Sequence, residues 1–303
     1  MQQTAPMPGS RFVDPKVLAR IGNLELVARS VVNGFINGLH RAPYFGASID
    51  FAEHRGYVPG DDIRRLDWRL YARTDKYFLK QYEADTNTNF CVLFDISRSM
   101  NFGTTGVSKL EYACFLAACM AYMAQRQRDR VGIVTFDDDV VSYVPPSAKH
   151  FQVLLQTLDR AKADRPGRLA APLDKIAEHF KRRSIVALIS DLYEDPDAIL
   201  EALKPYRFLG NEVMVFHVLD PAELDFPYSE AARFEDLESG EEVPIVPEAV
   251  VKQYHALIGG HIEALRSKCA EHRIDYTLVN TAKPLDEALF SYLASRQRLA
   301  RVR

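Results

Sequence analysis

Phe90-Cys91-Val92-Leu93-Phe94-Asp95-Ile96-Ser97-Arg98-Ser99 is a short apolar run that ends abruptly in a polar loop. Such a run fits a β-strand buried on both faces, as in a parallel sheet covered by helices. Two further runs read the same way: Val131-Gly132-Ile133-Val134-Thr135-Phe136, and Ile185-Val186-Ala187-Leu188-Ile189 followed by Ser190-Asp191. Between and after them the spacing predicts helices over 110–126, 149–161, 171–181, 196–206, 247–272 and 284–296. Further strands are expected at Val140–Val144, Glu212–Leu219 and 274–279. Strand–helix alternation from 90 to 296 implies an α/β fold with a mostly parallel sheet and helices on both faces. Arg233–Ile245 reads as a small hairpin insertion turning at Ser239-Gly240.

In open parallel sheets, ligands gather at the carboxyl ends of strands where the connections reverse direction. Two predicted strand ends carry carboxylates: Asp95, with Ser97 and Ser99 at alternate positions after it, and Asp191. If those strands are neighbours, the four residues converge. Carboxylates with hydroxyls and water suit Mg2+ or another divalent cation. The same Asp-x-Ser pattern also serves simply to cap a turn.

Asp95-x-Ser97-x-Ser99 after an apolar strand, with Asp191 ending a later one, resembles the metal-ion-dependent adhesion site of von Willebrand A domains. The resemblance implies a Rossmann-like fold, two directly ligating serines and aspartates acting through water. It also implies a threonine on a second loop, after a glycine. Here that loop reads Arg165-Pro166-Gly167-Arg168-Leu169, so Leu169 stands at the threonine position. The site is expected to be degenerate, with Asp164 or Asp137–Asp139 as substitutes for the missing ligand.

Upstream, Arg55 to Arg73 holds the run Tyr57-Val58-Pro59-Gly60-Asp61-Asp62-Ile63-Arg64-Arg65-Leu66-Asp67-Trp68-Arg69-Leu70-Tyr71-Ala72-Arg73. It resembles the signature of the bacterial domain-of-unknown-function family 58. In that family a von Willebrand A-like domain follows the signature, and the proteins accompany MoxR-type AAA+ ATPases. The resemblance implies the same partner here, with a further client protein. Physically, Asp61, Asp62 and Asp67 alternate with Arg64 and Arg73, whose guanidinium forks can pair carboxylates around Trp68, the sole tryptophan. Such a network reads as a structural clamp or a docking surface before it reads as a catalytic centre. The expected division is residues 1–88 as an N-terminal helix and signature segment, and 89–303 as the A-like domain. Asp14-Pro15 starts the helix, with apolar residues kept at helical spacing through Ala28.

The chain has 303 residues, 47% hydrophobic and 26% charged, with a net charge of -3, so nothing points to a nucleic-acid binder. Four arginines from Arg296 onward read as a solvated terminus. Cys91, Cys114, Cys119 and Cys269 lack paired spacing and read as small buried hydrophobes of a reducing compartment. No apolar run reaches the roughly 20 residues that span a bilayer, and no leader pattern opens the chain, so a cytoplasmic protein without membrane insertion is expected. A Gly-x-x-x-x-Gly-Lys-Ser/Thr loop and a Gly-x-Ser-x-Gly elbow are both absent. A Mg-dependent phosphohydrolase using Asp95 is the enzymatic alternative, but its acid/base position holds Ser97. The expectation is therefore a non-enzymatic adaptor.

Overall fold

The computed structural model describes residues 14–41, 54–56, 71, 77–80, 88–180, 183–237 and 240–301. The strands are β1 (His54–Gly56), β2 (Phe78–Lys80), β3 (Asn89–Asp95), β4 (Arg130–Phe136), β5 (Val140–Ser147), β6 (Ser184–Ser190), β7 (Glu212–Leu219), β8 (Ala232–Glu235), β9 (Glu242–Ile245) and β10 (Asp275–Asn280). The helices are α1 (Pro15–Leu18), α2 (Leu24–Arg41), α3 (Lys109–Arg126), α4 (Phe151–Asp159), α5 (Ala170–Ala177), α6 (Pro196–Phe208), α7 (Pro221–Asp225), α8 (Pro247–Glu271) and α9 (Asp286–Arg301). A 3-10 turn spans Arg98–Asn101.

Six strands form the central sheet in the order β10-β7-β6-β3-β4-β5. All neighbours are parallel except β5, which returns antiparallel along β4. The two-residue period of a strand divides its apolar side chains between two cores. Phe90, Val92 and Phe94 enter one, with α2, α3, α4 and α9. Cys91 and Leu93 enter the other, with α5, α6 and the carboxyl half of α8. All four cysteines are buried and free. The chain leaves β3 toward β4 on one side, and β6 lies on the other side of β3. The reversal point thus falls between β3 and β6, where the carboxyl ends carrying Asp95 and Asp191 are adjacent.

Helix α3 is apolar nearly all round, which only a helix covered on both sides tolerates. The sheet covers one side. Val27, Ala28, Val31, Val32 and Phe35 of α2 join the same core from the other. Ser108 caps α3, its hydroxyl accepting from the Glu111 N–H at 3.2 Å while Glu111 accepts from the Ser108 N–H at 2.9 Å.

Two expectations are corrected. The N-terminal helix is two helices, because the chain breaks after α1 and Asn23 restarts it, accepting from the Leu26 N–H at 3.0 Å. Arg296 is not solvated: it is only 10% exposed, with its guanidinium 2.5 Å from Asp129. His217 is fully buried on β7, its Nδ1 2.7 Å from the Tyr276 hydroxyl. The hairpin insertion forms as expected from β8 and β9, with Gly240 at φ +75. Its turn residue Ser239 lies outside the described residues.

Candidate functional site

The loops at the carboxyl ends of β3, β6 and β7 meet above the reversal point. The Ile96 N–H donates to the Phe136 carbonyl at 2.8 Å, carrying the β3–β4 pairing past Asp95. Asp95, Ser97, Ser99 and Asp191 are all buried. One Asp95 oxygen accepts the Ser97 N–H at 2.8 Å, and the other accepts the Ser190 hydroxyl at 2.5 Å. The Ser97 and Ser99 hydroxyls are 3.1 Å apart and bond each other. Burial, and then the charge of Asp191, push the Asp95 carboxyl up to about 7, against the hydrogen bonds from Ser190 and Ser97.

Asp191 does not face an open position. Its Oδ2 accepts from Lys109 Nζ at 2.7 Å, and the same ammonium reaches Glu223 Oε1 at 2.7 Å. Lys109 is wholly buried at the first position of α3, and Glu223 sits on α7 just beyond β7. The Tyr193 ring lies 4.9 Å from Nζ and the Phe102 ring 5.9 Å. Burial works to depress the lysine, but the carboxylates of Asp191 and Glu223 hold it above its ordinary value. Burial raises Glu223, and Lys109 pulls it back. Nearby, Asp220 fastens the loop ahead of α3: its carboxylate accepts the Thr104 hydroxyl at 2.5 Å and the Thr104 N–H at 2.9 Å.

The second loop does come to Ser97. Arg165 bridges it, and the Arg98 N–H donates to the Arg165 carbonyl at 2.6 Å. Gly167 allows the approach, since a Cβ there would lie 2.4 Å from the Ser97 Cβ. Leu169 then turns away. Its side chain is 3% exposed and packs in the second core with Leu173 and Ile176. Its N–H donates to Glu194 at 2.5 Å. Of the suggested substitutes, Asp164 is exposed, Asp139 pairs with Lys175 at 2.7 Å, and the Asp137 carboxyl accepts the Asp139 N–H at 3.1 Å.

The arrangement decides how well a divalent cation fits. Oxygens at about 2.1 Å from Mg2+ put adjacent octahedral corners about 3.0 Å apart, so the two serine hydroxyls are suitably spaced. The remaining donors are not. Both Asp95 oxygens accept internal hydrogen bonds, Asp191 holds an ammonium, and Leu169 brings no oxygen. Among the described residues no group of three or more His, Cys, Asp or Glu could hold a metal ion. The residues present do not complete a divalent-cation shell.

Asp61, Asp62, Arg64, Asp67, Trp68 and Arg73 of the expected clamp lie outside the described residues. Sequence reasoning missed Lys109, Glu223 and Ser190. A signal for Lys109 was present. A lysine directly after a capping serine stands against the helix dipole, so it needs carboxylate partners.

The strand order, the antiparallel edge strand and the serine-bearing loop at the reversal point define a von Willebrand A-like α/β fold. The family described as "Protein of unknown function DUF58" matches residues 53–261, and this chain belongs to it. Uncharacterized proteins of Mycobacterium bovis and Mycobacterium tuberculosis are 30% identical to it over 234 residues, covering 75% of this chain and 73% of theirs. Among solved structures, the conserved hypothetical protein BatB from Bacteroides thetaiotaomicron aligns with a TM-score of 0.50 at 16% identity. That match covers 69% of this chain and 99% of BatB, and the likeness is one of fold. The SpRpn10 VWA domain aligns with a TM-score of 0.42 at 11% identity, covering 67% of this chain and 93% of that domain. No described helix is long and apolar enough to cross a membrane.

Proposed function

We propose that this chain is a non-enzymatic, cytoplasmic adaptor that works with a MoxR-type AAA+ ATPase to assemble or activate a client protein complex. It binds through the degenerate adhesion site at the carboxyl end of its sheet. The observation that carries this reading is the internal engagement of both strand-end carboxylates, Asp95 by Ser97 and Ser190 and Asp191 by Lys109. They make a stiff floor. Around it stand exposed groups that can meet a partner: Tyr193, 46% exposed, and Arg165, Arg168 and Asp138. An aromatic ring with arginines at the rim is typical of contact surfaces between proteins. The ATPase partner is carried by the likeness of Arg55–Arg73 to the family signature, which leaves Asp61, Asp62, Arg64, Asp67, Trp68 and Arg73 as a clamp or second docking surface.

The test is co-expression of the tagged full chain with the MoxR-type ATPases of the same genome. One of them should co-elute, and Tyr193→Ala with Arg168→Glu should weaken capture by about tenfold or more. Capture of none would sink the reading. The phosphohydrolase alternative needs an unencumbered Asp95 with a nearby acid/base. Mg2+-dependent phosphatase turnover abolished by Asp95→Asn would restore it.

A further inference from the structure

We infer that Lys109 is this site's own cation: its ammonium, held by Asp191 and Glu223 and roofed by Tyr193 and Phe102, neutralises the strand-end carboxylates in place of a divalent ion and keeps one out. The inference rests on the proposed site but not on the identity of any partner. Three features carry it. The ammonium is fully buried and 2.7 Å from each carboxylate, so two of its three protons are placed and the rest of its charge faces aromatic rings. Its carboxylates come from the ends of β6 and β7, while Lys109 itself follows the loop after β3. One side chain thus ties three strand ends together, the work a bridging metal would do. Finally, a divalent ion seated on the Ser97 and Ser99 hydroxyls would draw on the negative charge of Asp191, directly or through water. It would then meet a positive charge already bound there, in surroundings where like charges are poorly screened.

The position of Lys109 is costly in other respects. It opens a helix, where the dipole disfavours a cation, and its side chain gives up all contact with water. Only the paired carboxylates make that tenable. Removing the ammonium would leave Asp191 and Glu223 without a counter-charge, with Asp191 close enough to Asp95 to act on it electrostatically, a set of acids that attracts a hard cation.

The experiment is a Mn2+ titration of the full chain, followed by the paramagnetic resonance signal of free Mn2+, with melting temperatures recorded in EDTA and in Mg2+. The wild-type protein should show no Ser97-dependent Mn2+ binding in the millimolar range and the same melting temperature in both buffers. Lys109→Met should bind Mn2+ at least about tenfold more tightly. Adding Ser97→Ala should abolish that gain. Should Lys109→Met not fold, Lys109→Arg keeps a cation in place and should fold and stay indifferent to metal. Saturable one-site binding to the wild type that disappears with Ser97→Ala would overturn the inference. So would a folded Lys109→Met protein with no gain in Mn2+ affinity. None of these readouts involves an ATPase, so they stand apart from the fate of the adaptor reading.

Discussion

His217 shows at one residue how burial sets the response of this protein to acid. Its ring is fully buried, and burial lowers its pKa from 6.5 to about 3 despite the nearby Asp191 charge. The unfolded chain takes a proton there below about 6.5, while the folded chain stays neutral until about 3. Between those values the folded state binds fewer protons, so stability falls as pH falls and is unaffected above the interval. The expected loss is about 2 kcal/mol by about pH 5. Urea unfolding of the wild type and of His217→Gln at neutral and acid pH checks this. The variant should lose the acid slope, and equal slopes would refute the assignment. At this scale the site was half legible. Asp95, Ser97, Ser99 and Asp191 announce themselves by following apolar strands. Lys109 is marked only by its place against the helix dipole, which calls for carboxylate partners but does not say which until the strand ends are known to converge on it.

Gly167 belongs to the scale of elements, since it governs how the loop before α5 packs on the loop after β3. Gly167→Ala would press a Cβ to 2.4 Å from that of Ser97, and backbone must move to relieve it. The expected cost is about 1–3 kcal/mol, read as a lowered denaturation midpoint with an unchanged m-value. An unaltered midpoint would mean that the two loops are not packed as described. The central strands were legible because continuous apolar runs, Phe90–Phe94 and Ile185–Ile189, leave few alternatives. The break between α1 and α2 was not. Its apolar spacing runs on across the interruption, and only the side-chain bond from Asn23 marks the restart. Leu169 was misleading in a similar way. Counting along the loop puts it at a ligand position, but one apolar side chain beside Leu173 gains more from the core than from the polar loop.

Over the whole molecule, α2 and the sheet together close the apolar surface of α3. A chain lacking residues 1–41 would leave α3 bare on the side now covered by Val27, Val31 and Val32. Such a protein should bind the dye ANS and elute as aggregates in gel filtration, while the full chain does neither. A monodisperse, dye-negative truncation would show that α2 is dispensable to the core. The α/β class and the reversal point follow from the order of apolar runs alone. The course of the chain over the outside of α3 does not, because nothing in the pattern of α2 says which apolar surface it covers.

The four interior cysteines have a practical side. Burial raises the pKa of every one, to about 12 for Cys114 and Cys269 and further for Cys91 and Cys119. Thiolate is the reactive form, so the native chain is chemically silent toward disulfide reagents, and modification proceeds only as fast as the molecule opens. Cys91 lies in the central strand, Cys114 and Cys119 on α3, and Cys269 on α8. Together they form an internal clock, with one hand in the sheet and others in the helical layers on either side of it.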